Sequence, residues 1–281
     1  MTKPLLWNFN GNLLSPNQVH ISPENRSFRY GDGFFETILY AKEKLPLWEY
    51  HLRRIEQALT VFSLQWKHAF PLSALKEQLI ALAQANNYAT ARLRLMFFRK
   101  NGGLYLPQSN EVRFLIAASP LEFSLAQNIF LGVSKQSVVS YSAHTPFKTN
   151  AALPYVLAAI EGQKEGKNEI ILLNHTNKVA DALYGNVWIL NKNVWYCPPV
   201  NAGGVAGVMR AFLLENKENW YMLCREKPLR LGELYQADAI VLSNAVAGIK
   251  IVQQFEDKIF APNEEVVFLQ EKVAAYLYGD K

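Results

Sequence analysis

An α+β fold in two domains is what this sequence predicts, and three observations predict it. At 281 residues the chain exceeds the roughly 100–200 residues usual for one domain. Helical apolar spacing over 47–64 and 72–85 is followed by strand alternation over 91–118, so helices and strands are grouped, not strictly alternating. The second half carries short strand-like runs separated by Asn-, Gly- and Pro-rich turns. The break falls at Ser119-Pro120, giving a small N-terminal domain over 1–119 and a larger C-terminal one over 120–281.

In the first domain an aromatic-flanked turn, Tyr30-Gly31-Asp32-Gly33-Phe34-Phe35-Glu36-Thr37, feeds a strand. Leu52, Ile55, Leu59 and Phe62 then fall on one helical face, with Arg53 and Arg54 on others. Leu72, Leu75, Leu79 and Leu82 repeat that spacing behind Pro71 and predict a second helix ending near Asn86-Asn87. Ala91, Leu93, Leu95 and Phe97 alternate with Arg92 and Arg94, which is a strand period. Asn101-Gly102-Gly103 turns the chain into a second such strand, Val112 to Ala118.

The second domain begins with a strand over Asn128 to Val139, rich in β-branched residues, and a polar loop to Pro146. A helix is expected over Ala151 to Glu165. Strands are expected over Ile170 to Leu173, Asn186 to Leu190 and Val194 to Tyr196. Pro198-Pro199 and Gly203-Gly204 open a loop before a helix over Val205 to Leu214. Strands Ala239 to Leu242 and Ile249 to Phe255 and a closing helix, Val266 to Tyr278, complete a set whose many strands can curl toward a barrel.

Half of the residues are hydrophobic and 19% are charged, a globular composition. The net charge of +5 is spread out, without the basic stripe of a nucleic-acid binder, so no nucleic-acid partner is expected. No apolar run is long enough to cross a bilayer and no signal-peptide core opens the chain. The two cysteines, Cys197 and Cys224, have no redox or metal spacing, and the five histidines show none either, so no metal is expected. A soluble, cytoplasmic protein is the expectation.

Lys148, in Phe147-Lys148-Thr149-Asn150, sits ahead of a predicted helix in apolar surroundings. Helix dipole and desolvation both disfavour its ammonium, which makes a free amine available to a carbonyl. Taken alone, a solvated lysine at a helix start is the commoner case. Asp181 follows the turn Asn174-His175-Thr176-Asn177 on an apolar stretch, where a turn-stabilising Asp is the commoner case. Gly207-Val208-Met209-Arg210 opens a helix, and a helix start offers backbone amides to an anion.

Taken in order, Arg29-Tyr30-Gly31-Asp32-Gly33, His51-Leu52-Arg53-Arg54, Phe147-Lys148, Val179-Ala180-Asp181 with Asn186-Val187-Trp188, Gly207-Val208-Met209-Arg210 and Ser243-Asn244-Ala245 resemble the fold type IV, or class IV, pyridoxal-phosphate enzymes. The likeness runs from about Asn8 to Val252. It implies an N-terminal α/β domain, a C-terminal pseudo-barrel domain that carries the Schiff-base lysine, pyridoxal 5'-phosphate as cofactor, an amino-acid-type substrate and a homodimer.

By the same resemblance Lys148 is the Schiff base and general base, and Asp181 faces the pyridine nitrogen where the family has Glu. Arg54 would bind the cofactor phosphate, with Val208, Met209, Asn244 and Ala245 completing that site. Phe35 and Thr37 would line the substrate side, with Thr37 assisting proton transfer. Arg26 echoes an Arg that orders the family's loop. Ser243-Asn244-Ala245 and the Val205–Phe212 segment resemble 4-amino-4-deoxychorismate lyases most. Leu104 stands where lyases and D-amino-acid aminotransferases have a substrate-binding Arg, which keeps a branched-chain or D-amino-acid aminotransferase as the alternative and leaves Lys100, Arg92 or Arg94 as replacements. A degenerate cofactor-binding member without turnover is the remote third reading.

Overall fold

The computed structural model describes residues 5–121 and 128–279. Its contacts divide the chain into two compact units, Met1–Glu122 with Phe147–Ala151, and Phe123–Pro146 with Ala152–Lys281.

The first unit opens with a hairpin of β1 (Trp7–Phe9) and β2 (Asn12–Leu14), turned at Asn10 and Gly11. The short helix α1 (Arg26–Tyr30) is capped by Asn25, whose side chain accepts from the Phe28 amide. It ends at Gly31, whose φ of 68° is the left-handed conformation that glycine adopts without steric cost. Then come β3 (Gly33–Ala41), α2 (Trp48–Val61), α3 (Leu75–Ala85), β4 (Thr90–Arg99) and β5 (Val112–Pro120). The strands form one antiparallel sheet in the order β2-β1-β5-β4-β3.

Along β3 the pleat sends successive side chains to opposite faces. Phe34 and Ile38 enter a core shared with Ile55 of α2 and Leu79 of α3, and Glu36 lies between them, so that face meets the helices. Phe35 and Thr37 belong to the other face. Beyond β3 the sheet is extended by Phe147–Ala151. Phe35 N donates to Lys148 O at 2.8 Å, Asn150 N donates to Gly33 O at 3.0 Å, and Phe34 bridges to Thr149. Lys148, past residue 120 in sequence, is therefore held by backbone bonds in the first unit, and α4 begins only at Leu153.

The second unit runs β6 (Ile129–Val138), α4 (Leu153–Lys164), β7 (Glu169–Leu173), β8 (Val179–Ala182), β9 (Asn186–Asn191) and β10 (Val194–Cys197). It continues with α5 (Val208–Glu215), β11 (Cys224–Glu226), α6 (Leu231–Gln236), β12 (Ala239–Asn244), β13 (Gly248–Phe255), β14 (Lys258–Ile259) and α7 (Glu264–Tyr278). The strands order as β11-β10-β9-β12-β13-β6-β7-β8, with β14 added to β13. This mixed sheet curls into a half-barrel, the pseudo-barrel that the motifs imply, around Ile129, Leu131, Ile189, Ile240, Leu242 and Phe255. The fold is α+β, as the sequence predicts.

Several elements were not expected from the sequence: the first hairpin, α1, β8, β11, α6 and β14. Two helices start later than their apolar spacing suggests, α4 at Leu153 instead of Ala151 and α5 at Val208 instead of Val205. In the second case Val205 is withdrawn from the helix because its amide bonds the Asp181 carboxylate.

Candidate active site

In the first unit, two sets of side chains lie on opposite faces of β3. On the helix side Glu36 is buried among cations and donors. Arg54 grips it with two bonds, Nε to Oε1 at 2.8 Å and Nη2 to Oε2 at 2.6 Å, while His51 Nδ1 meets Oε2 at 2.7 Å. Burial alone would raise this carboxyl, but the charge of Arg54 and the His51 bond outweigh it and hold Glu36 at about 2. Burial lowers His51 below its ordinary value, so the ring is neutral near pH 7 and Nδ1–H donates to the ionised Glu36. Among the described residues His51 Nε2 is buried without a hydrogen-bond partner. A phosphate role for Arg54 therefore has to be played alongside its Glu36 pair.

On the other face the Phe35 ring is a platform for two cations. The Arg94 guanidinium lies 3.9 Å from its centroid and Lys148 Nζ 5.3 Å from it. Arg94 pairs with Thr37 across the β3–β4 ladder, and directly opposite residues share a face, so Phe35, Thr37, Arg94 and Lys148 form one group. Desolvation, then the charge of Arg92, lowers the pKa of Arg94, although its side chain keeps solvent contact. An anion would relieve both effects. Lys100, by contrast, pairs with Glu111.

Asp32, in the Gly-Asp-Gly turn, accepts from Arg26 Nε at 2.8 Å and Arg99 Nε at 2.9 Å. Arg26 Nη1 also reaches the carbonyls of Gly102, Gly103 and Leu104, and Nη2 that of Tyr105. The loop that ends in Leu104 is thus tied to the turn before β3, and the Leu104 side chain is 70% exposed.

In the second unit Asp181 is 3% exposed on β8. Its Oδ2 accepts from the Tyr155 hydroxyl at 3.0 Å and the Val205 amide at 3.0 Å, and its Oδ1 from Asn186 Nδ2 at 3.2 Å. Asn186 Nδ2 also donates to Val205 O at 2.8 Å, which closes a ring of bonds between β8, β9 and the loop entering α5.

That loop ends at Gly207, the N-cap of α5, where a Cβ would lie 1.8 Å from Asn186 Oδ1. A larger residue here would have to displace the Asn186 side chain from its bonds to Asp181 and Val205. Val208 and Met209 follow as the first helical residues, whose amides have no partner within the helix. Arg210 is buried and ion-paired with Glu226 and donates to Pro198 O at 3.1 Å, anchoring the start of α5. Asn244 accepts from the amides of Val246 at 3.0 Å and Ala247 at 2.7 Å and so shapes the turn that contains Ala245.

The structure thus groups Phe35, Thr37 and Lys148 in one unit, where Arg54 lies behind β3, and places Asp181, Val208, Met209, Asn244 and Ala245 in the other. The sequence gives Tyr155 no role and leaves Glu36, in the Gly-Asp-Gly segment, open between a structural and a substrate-side one. Glu36 could have been noticed as an acid in a run otherwise apolar, but Tyr155 carries no local signal.

The amino-transferase class IV family pattern matches residues 33–255. An aminodeoxychorismate lyase of Vibrio harveyi is 25% identical, covering 94% of this chain and 96% of its own. A putative branched-chain-amino-acid aminotransferase of Methanocaldococcus jannaschii is 24% identical over 94% and 92%. Among solved structures, the 4-amino-4-deoxychorismate lyase of Pseudomonas aeruginosa superposes with a TM-score of 0.81 at 25% identity, covering 92% of this chain and 96% of that one. A branched-chain aminotransferase of Thermoproteus uzoniensis reaches 0.89 at 20% identity over 99% and 96%.

Proposed function

We propose that this chain, which belongs to the amino-transferase class IV family, is a pyridoxal 5'-phosphate enzyme that releases pyruvate from 4-amino-4-deoxychorismate and leaves 4-aminobenzoate. The observation that carries the reading is the Phe35 platform, which sets an amine, Lys148, and an anion receptor, Arg94, beside the hydroxyl-bearing Thr37. An amino-acid-type substrate presents an amine and a carboxylate to match.

The side chains present fit the cofactor. Within the first unit Lys148 offers the amine; within the second Asp181 offers a buried carboxylate for a ring nitrogen, and the α5 start, where Gly207 leaves room for the Asn186 side chain, offers amides for a phosphate. Arg54 and the Asn244–Ala245 turn are assigned to the same phosphate. When bound, the cofactor supplies an aldehyde that condenses with amines and a ring that accepts electrons. Lys148 Nζ takes the proton from the substrate carbon that bears the amine, a carbon that holds no hydrogen in the aromatic product. Asp181 keeps the ring nitrogen protonated. Thr37 Oγ1 passes a proton to the departing enolpyruvate, and Arg94 holds the substrate carboxylate in place of the Arg that Leu104 does not supply.

The lyase reading is supported by likeness to proteins named aminodeoxychorismate lyase from Vibrio harveyi, over 94% of this chain, and from Bacillus subtilis, over 85% of it, and by the Ser243-Asn244-Ala245 turn. Branched-chain transamination is the second reading, favoured by the exposed Leu104 and by the Methanocaldococcus relative. A homodimer belongs to the same proposal, supported by an exposed apolar stripe of Leu153, Val156, Leu157 and Ile160 at helical spacing on α4. So does the cytoplasmic setting.

The test is to incubate the cofactor-loaded protein with 4-amino-4-deoxychorismate, and separately with branched-chain amino acids plus 2-oxoglutarate. Aminobenzoate with equimolar pyruvate upholds the lyase. Glutamate without aminobenzoate replaces it with the transaminase. Lys148→Ala should abolish both the products and the visible absorption of the bound cofactor.

A further inference from the structure

From α4, the Tyr155 hydroxyl reaches the Asp181 carboxylate by a hydrogen bond. Its ring packs against Val139, Ala158, Ile170, Leu172 and Ala180, so the phenol is delivered to Oδ2 by a rigid apolar seat. Burial and the adjacent Asp181 charge push its ionisation far above the ordinary range, which keeps the hydroxyl a donor at any physiological pH. Oδ2 also takes the Val205 amide, Oδ1 takes Asn186, and Asn186 in turn holds Val205 O and abuts Gly207. One network therefore runs from a helix face, through the carboxylate, to the first residue of α5.

Asp is a short acid, with a single methylene between backbone and carboxylate, and its orientation is set by whichever donors surround it. Asn186 and Val205 arrive from the β9 and α5 side. Tyr155 arrives from α4 and closes the set. We propose that Tyr155 is a positioning residue, whose hydroxyl fixes the direction of Asp181 and, through Val205 and Asn186, couples that carboxylate to the anion-binding start of α5. The inference rests on the proposed cofactor reading and adds to it a residue that touches neither substrate nor cofactor but decides how well Asp181 and the α5 amides are set for one ligand.

Tyr155→Phe removes a single oxygen and keeps the ring in its apolar seat, so the variant folds. Equilibrium titration with pyridoxal 5'-phosphate should show about tenfold weaker binding, the loss expected for one hydrogen bond to a charged group. The visible absorption maximum of the bound cofactor should shift as well, which mere packing would not cause. In an Asp181→Asn background the same Tyr155→Phe change should cost clearly less than in wild type, because the charge that strengthens its hydrogen bond is gone.

Equal losses in both backgrounds, or an unaltered maximum and affinity in the single variant, overturn the inference while leaving the cofactor reading intact. If Asp181→Asn takes up no cofactor, the absorption maximum of the single variant decides. A wild-type protein that binds no pyridoxal 5'-phosphate overturns the proposed function, and this inference with it.

Discussion

Glu36, on the helix-facing side of β3, and Glu169, at the start of β7, are both 1% exposed, yet one carboxyl is held at about 2 and the other is pushed up to about 7. Desolvation is the largest influence on each and acts in the same direction. The difference lies in what approaches the oxygens. Glu36 has the Arg54 fork and an imidazole at 2.6 to 2.8 Å. Glu169 has Lys250 only at 3.8 Å, a Tyr184 amide at 3.4 Å, and an Oε1 without a hydrogen bond. Burial does not decide the charge of a carboxylate; the donors packed around it do. Asp181, with three donors at 3.0 to 3.2 Å, resembles Glu36 in this respect.

The strongest way to break the comparison is Glu36→Gln, which leaves the buried Arg54 charge uncompensated. Removing one partner of such a pair costs about 3–5 kcal/mol, so the midpoint of chemical denaturation should fall steeply. The linkage has the same sign. A carboxyl depressed from 4.5 to about 2 contributes stability above pH 4.5 that is lost as pH falls through 2, an amount of about 3 kcal/mol. His51 acts in the same direction, since its lowered pKa means the unfolded chain takes up a proton first as the solution is acidified. Wild type should therefore lose stability on acidification more steeply than Glu36→Gln, and parallel pH profiles would show that the pair contributes nothing.

Asp181→Asn comes next. The amide keeps one acceptor for Tyr155 or Val205 but gives up the negative charge. Cofactor should still bind, and turnover should drop about 10²–10³-fold, the range found when one preorganised electrostatic contact to a reacting system is removed. Steady-state kcat at saturating substrate measures it. Full activity would take Asp181 out of the site.

These contrasts also mark what could be read from the sequence. The helices α2 and α3 and the strands β4 and β5 lie where apolar spacing put them, because in each one face is more deeply buried than the other. β8 was invisible for the opposite reason: Val179 to Ala182 are all buried, so no alternation exists to read. With five residues, α1 is too short to show a helical period. The Glu36–Arg54 pair spans 18 residues and the Tyr155–Asp181 pair 26, distances at which no local spacing rule applies. Motifs could single out Lys148 and Asp181, but only the fold shows which side chains orient them. Asp181 looked like a turn residue by composition, and it is a strand residue that three separate elements address with donors.

The smallest expected effect sharpens the comparison from its other side. Glu169 has a folded pKa of about 7 against an ordinary 4.5, so the folded protein holds a proton that the unfolded chain has released between those values. Stability that this group contributes is fully present below pH 4.5 and is lost as pH rises through 7, the reverse of Glu36. Glu169→Gln is neutral at every pH and keeps the size of the side chain. It should match wild type at pH 4 and exceed it by about 2 kcal/mol at pH 8, after discounting the full linkage value for relaxation around the buried anion. Thermal unfolding at the two pH values measures the difference. A gain of equal size at both would mean that packing is responsible, and a loss at pH 8 would mean that Lys250 closes on the ionised carboxylate well enough to make Glu169 a second Glu36.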